Sequence, residues 1–287
     1  MRSADTPVTA QQRRAHRRQA RAALLRKEWQ EQRWRFFLGT VVLSGLLAGM
    51  LRAQIVPAGE AALLIYWPVG VVMVIFLAMG PVASERADRT WAFLVAQPVS
   101  RADVLLAKWT MGMLQLVGMM TIATVTGLLA MWSRGFRGQT TVLEDVIGDY
   151  VLAAEDVLVL AAGHPVGWLC MVATAATIAL ACWYTPLFLL LTRARNEFTA
   201  ALGGILLTIA LHAWLAQFFV TLLKSKLWLI SVALNPLSIF VLAVNPESVP
   251  WVSGFVWVPA LVMLHVLVWI LLPLWWVNRV GRRAPTK

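Results

Sequence analysis

The chain has 287 residues, 60% of them hydrophobic and only 14% charged, against about 25% charged in an ordinary soluble domain. A soluble core of this length cannot hide so much apolar surface, and a mean hydropathy of +0.71 excludes a water-soluble fold and points to an all-α, polytopic membrane protein. The net charge of +11 would suggest nucleic acid as the partner of a soluble chain, but in a bilayer it marks the cytoplasmic face, and no nucleic-acid partner is expected.

Residues 1–35 are polar and basic and read as a cytoplasmic or interfacial helix. No short apolar run with a small-residue cleavage site follows them, so the first span is expected to stay in the mature protein. Six apolar segments then approach the roughly 20 residues a membrane helix needs: Phe36 to Leu51, Ala61 to Val82, Met111 to Trp132, Val166 to Leu191, Thr199 to Leu222, and Pro259 to Val277. Trp34 and Arg52 suit the two interfaces of the first. Between the third and fourth, residues 133–163 form an external segment in which Leu143, Val146, Ile147, Tyr150 and Val151 recur at helical spacing, with Glu144, Asp145 and Asp149 between them. That pattern predicts an amphipathic helix at the outer interface.

A further apolar run, Leu227 to Val244, is broken by Asn235-Pro236, which removes a backbone donor. Charge decides its topology. With six spans and both termini inside, the cytoplasmic segments hold 20 basic and 7 acidic residues and the outer ones 5 and 7, a division of +13 against −2. A seventh span would move Arg279, Arg282, Arg283 and Lys287 outside, against the positive-inside bias. Residues 227–245 are therefore expected to form an external re-entrant hairpin. The whole chain, 1–287, reads as one membrane domain. Cys170 and Cys182, about 18 Å apart along one helix, make no disulfide.

None of the six spans contains Asp or Glu, whereas ion-coupled carriers place ionisable relays near the midplane. His212 and His265 are the titratable side chains deepest in the fifth and sixth spans, and Trp214 and Trp269 the deepest tryptophans. These four are the candidate pathway residues, although a histidine hydrogen-bonded across helices is the commoner arrangement. The eleven methionines read as core and lipid-facing filling. No H-E-x-x-H, aspartyl pair or G-x-S-x-G occurs. No catalytic residue, metal site or cofactor is expected in this chain.

The informative cytoplasmic stretch is residues 84–108. Pro98 ends whatever precedes it, and Ser100 with Asp103 forms a helix-starting capping box, flanked by Val99 and Val104 as a hydrophobic staple. Upstream, Trp91, Leu94 and Val95 fall on one side of a short helix, with Glu85, Asp88 and Arg89 on another. That pattern suits a lever that a cytoplasmic partner can push, and on spacing alone it equally suits an ordinary charged loop.

The stretch resembles the intracellular loop of type-2 ABC exporter permeases. Glu85, Thr90, Leu94, Pro98, Val99, Ser100, Arg101, Ala107 and Lys108 match the family pattern in order and spacing, with Arg89 where glycine is usual. Leu25-Arg26-Lys27-Glu28-Trp29 is similar to the family's basic interfacial helix before the first span. The resemblance implies six transmembrane helices with an N-terminal interfacial helix, a cytoplasmic coupling helix and the external hairpin. It implies a bacterial inner-membrane permease paired with a second copy and driven by a separate ABC ATPase that holds the ATP and Mg; this chain lacks a P-loop. Glu85, Arg89, Thr90, Pro98, Arg101 and Lys108 become the candidate ATPase-coupling residues, and Arg26, Lys27 and Arg33 candidates for anionic lipid or ATPase. The competing reading is a permease-like scaffold for maturation of an extracytoplasmic enzyme, docking at the acidic outer segment.

Overall fold

Between residues 11 and 38 the sequence has neither glycine nor proline. Nothing there interrupts helical hydrogen bonding, and i,i+4 pairs reinforce it: Lys27 Nζ to Glu31 Oε1 at 3.2 Å and Gln32 Nε2 to Glu28 Oε2 at 2.9 Å. In the computed structural model, which describes residues 10–53, 61–62, 64–87, 100–133, 165–192, 196–222, 262–275 and 279, helix α1 accordingly runs unbroken over Ala10–Ala53. The described part of the basic stretch expected to form an interfacial helix and the first apolar segment share this one helix.

The second apolar segment begins with a π-helical turn, Ile65–Val69, around Pro68. Proline lacks the N–H for the ordinary ladder and its ring crowds the preceding turn, which a widened turn accommodates. Helix α2, Gly70–Ala87, follows. It continues past Val82, so residues 84–87 of the expected loop are helical. Helix α3 is Arg101–Trp132, with Ser100 as its N-cap. Helix α4 is Pro165–Leu191, its proline at the first position, where a missing N–H costs nothing. Helix α5, Glu197–Leu222, starts with reciprocal bonds: the Thr199 N–H donates to Asn196 Oδ1 at 2.8 Å and the Asn196 N–H to Thr199 Oγ1 at 3.3 Å. Helix α6, Val262–Trp275, has a π-helical centre, Val266–Leu271. Among the described residues there is no strand.

Among the described residues three helical stretches are long and apolar enough to cross a membrane, Ala22–Ala53, Ala102–Trp132 and Val172–Leu191, and three shorter apolar ones accompany them, Ile65–Met79, Phe198–Ala210 and Val262–Trp275. The described residues are thus helical apart from turns and caps, and compatible with a membrane-embedded protein. Its outer surface fits that solvent: Val41, Leu114, Val125, Leu129, Leu206 and Ile209 are exposed, each side chain unburied by the fold, a density of apolar surface that lipid accepts and water does not. Helix α4 is the central element, with 67% of its apolar window buried against 28% for α1 and 39% for α3.

Helices α1 and α3 make the most extensive contact among the described elements, and they run parallel in a fixed register. Glu28 faces Lys108, an offset of 80 residues. A Cβ added to Gly39 would lie 2.5 Å from Met119 Sδ, and one on Gly127 would lie 2.9 Å from a Leu47 methyl, the same offset twice more. Helix α2 runs against both: Phe76 packs on Trp34 at 5.5 Å, and Tyr66 bonds Thr124 at 2.9 Å near the opposite end. Helix α4 also opposes α3, since Leu169 meets Gly127 while Tyr184 meets Gly112. All but Ser133 of the expected external segment 133–163, the hairpin over 227–245 and residues 88–99 of the loop lie outside the described residues.

Candidate functional site

The α3 start is built as the local sequence requires. Ser100 has extended backbone angles, and its Oγ accepts the Asp103 N–H at 3.1 Å. The Asp103 Oδ2 accepts the Ser100 hydroxyl at 2.6 Å, tightening the same turn. From that cap the helix continues without a break through Lys108.

Lys108 is fully buried, and its Nζ donates to Glu28 Oε1 at 2.7 Å, with side-chain exposures of 0% and 2%. The other carboxylate oxygen of Glu28 accepts from Gln32. Both charges are therefore compensated within the protein, the condition under which a buried ion pair persists. By the register of α1 and α3, Gln32 lies level with Gly112 and Arg35 level with Gln115, so a polar stripe at i, i+4 and i+7 continues inward for two turns. Arg35 is buried with its guanidinium over the rings of Trp34 at 5.4 Å and Phe76 at 5.5 Å.

Helix α4 closes the third side. Tyr184 is fully buried and its hydroxyl approaches Gly112 so closely that a Cβ there would collide with it. Its ring stacks on Phe188 at 5.7 Å. Next to it, Trp109 Nε1 donates to Thr185 Oγ1 at 3.2 Å. Tyr184 Oη, Gln32 Oε1 and both side-chain polar atoms of Gln115 are buried and have no hydrogen-bond partner among the described residues. Three helices therefore converge on a polar junction, Glu28, Gln32, Lys108, Gln115 and Tyr184, within a largely apolar bundle.

The candidate residues named from sequence distribute as follows. Glu85 lies in the last turn of α2 and Arg101 is the first residue of α3. Arg89, Thr90 and Pro98 fall outside the described residues. Lys108 is inside the junction rather than on the surface. His212 and Trp214 belong to α5, while His265 is fully buried in α6 and Trp269, four residues on, is half-buried with an indole Nε1 that has no hydrogen-bond partner among the described residues. Of the candidates, His265 and Trp269 lie on one helix, and Lys108 is joined to Glu28, a residue of the basic interfacial stretch with no assigned role of its own. Gln32, Gln115 and Tyr184 carried no motif. The matched polar spacing of 28, 32, 35 and 108, 115 is the signal that finds them, once the two helices are known to pair.

On the exposed side of α1, Arg26 and Arg33 are open and Trp29 is 37% exposed. Among the described residues no group of three His, Cys, Asp or Glu side chains is placed to hold a metal ion. No protein-family model and no curated protein matches the chain.

Proposed function

We propose that this chain is the membrane-spanning permease subunit of a type-2 ATP-binding cassette exporter. Two copies form the translocation path, and a separate ATPase, carrying ATP and Mg, drives them from the cytoplasm. The chain crosses a bacterial inner membrane six times, with both termini inside.

The observation that carries this reading is the start of α3. At the end of the stretch that resembles the family's coupling loop, Ser100 and Asp103 begin a helix abruptly, and two turns on its Lys108 is anchored in the interior. A loop that ends in a stiff, anchored helix transmits force. A loop that ends in a frayed one absorbs it. Alternation of α1, α2, α3 and α4 in direction is consistent with the same plan, since the last turn of α2 (to Ala87), the start of α3 (from Ser100) and the described basic part of α1 share one end of the bundle.

The test is recovery of the native complex by pull-down, followed by ATP hydrolysis measurements with Glu85→Lys. The expected result is a bound ABC ATPase whose permease-dependent activity falls by about tenfold or more in the variant, as loss of a charged coupling contact does. An intact complex with an unchanged rate overturns the assignment of Glu85. Capture of an extracytoplasmic enzyme with no ATPase overturns the exporter reading and favours the maturation scaffold.

A further inference from the structure

We infer that Glu28 and Lys108 are positioning residues that lock the end of the 84–108 loop to α1, so that α1 and α3 shift as one body. The inference deepens the exporter reading and rests on it for the source of the push, while the lock itself stands on the geometry.

Lys108 lies eight positions beyond the Ser100 cap along unbroken helix, a rigid arm of about 12 Å. Displacement at the cap therefore reaches Lys108 without a hinge. Lys108 grips one oxygen of Glu28 and Gln32 holds the other, so the carboxylate has one orientation. Above it the Gly39–Met119 and Leu47–Gly127 contacts keep the same register. An apolar contact in this position tolerates sliding, because dispersion between lipid-like side chains is non-directional. A buried ion pair does not, because a shift of one residue leaves each charge uncompensated where the dielectric is low. Glu28 also sits on the segment that continues into the exposed Arg26 and Arg33, so a shift of α3 carries the basic end of α1 along with it.

The experiment uses the full chain in its native complex, reconstituted in liposomes. It compares wild type with Lys108→Met, Glu28→Gln and the exchanged pair Glu28→Lys with Lys108→Glu. The readouts are ATPase retention, ATP hydrolysis, and amide hydrogen exchange of peptides covering α1 near Glu28 and α3 near Lys108. The single variants are expected to keep the ATPase bound yet lose permease-dependent hydrolysis by about tenfold, and Lys108→Met, although made in α3, is expected to speed exchange in α1. The exchanged pair is expected to restore both readouts. Should Lys108→Met fail to fold, Glu28→Gln carries the comparison, since it keeps the shape and a hydrogen bond to Lys108 but removes the charge.

Unchanged α1 exchange in a folded single variant overturns the lock. So does an exchanged pair that folds and stays uncoupled. If wild type brings down no ATPase, the exporter reading fails, and the lock is then judged by exchange alone, standing if the exchanged pair restores α1 protection and falling if it does not.

Discussion

The two ends of the α1–α3 pair share one backbone register and differ in chemistry. At one end Glu28 meets Lys108 as a buried ion pair. At the other, Leu47 lies against Gly127 and Leu51 is near the same glycine. Between Glu28 and Leu47 the paired stretch rises about 28 Å at 1.5 Å per residue, close to the roughly 30 Å of a bilayer's hydrocarbon layer. The apolar end works by closeness: a large side chain on one helix enters the space left by glycine on the other, and dispersion does the rest. The polar end works by direction, since only one pairing satisfies both charges. A membrane bundle needs both, because lipid offers no hydrophobic incentive for two apolar helices to choose one register over its neighbours.

Breaking the polar end is expected to have the largest effect. Lys108→Met leaves the Glu28 carboxylate buried without its cation, which costs about 3–5 kcal/mol. Thermal unfolding in detergent is expected to show a sharply lowered midpoint, recovered when Glu28 is changed to Leu in the same chain. The apolar end is expected to respond less: Leu47→Ala removes contacts against Gly127 and leaves a void, at a cost of about 2 kcal/mol. Adding the two variants tests whether the ends are independent, since sites more than about 10 Å apart contribute additively. The smallest effect is expected at Tyr184→Phe, and with the opposite sign. Its hydroxyl has no partner among the described residues, so removing it is expected to hold or raise the midpoint by up to about 1 kcal/mol in stability. A clear drop there identifies a partner for the hydroxyl and extends the polar junction beyond these residues.

Much of the fold was legible because it follows from local rules. The apolar runs and the Ser100 cap were readable, as a span needs length and apolarity and a helix start needs a side-chain acceptor. The helix of α3 does begin at Arg101, as the capping box requires. Boundaries that depend on the absence of a breaker were harder. α1 passes residue 35 without interruption because a change from polar to apolar composition does not by itself stop a helix, and α2 continues to Ala87 for the same reason.

The junction was half legible. Lys108 stood out within a motif, but its environment did not, because burial depends on which helix lies alongside. In the sequence Glu28 is one residue of a basic interfacial stretch, and Tyr184 falls unmarked within the apolar segment Val166 to Leu191. The glycine at 112, unremarkable in sequence, is what lets the Tyr184 hydroxyl reach α3.

By itself the sequence determined the solvent, the helical class, the apolar segments and the cap that starts α3, since these depend on composition and on residues within a few positions of one another. Only the tertiary structure decided that α1 and α3 lie parallel at an offset of 80 residues, and with that the pairing of Glu28 with Lys108. Two charges far apart in the chain compensate each other only when packing brings their helices into register, and no local rule contains that distance.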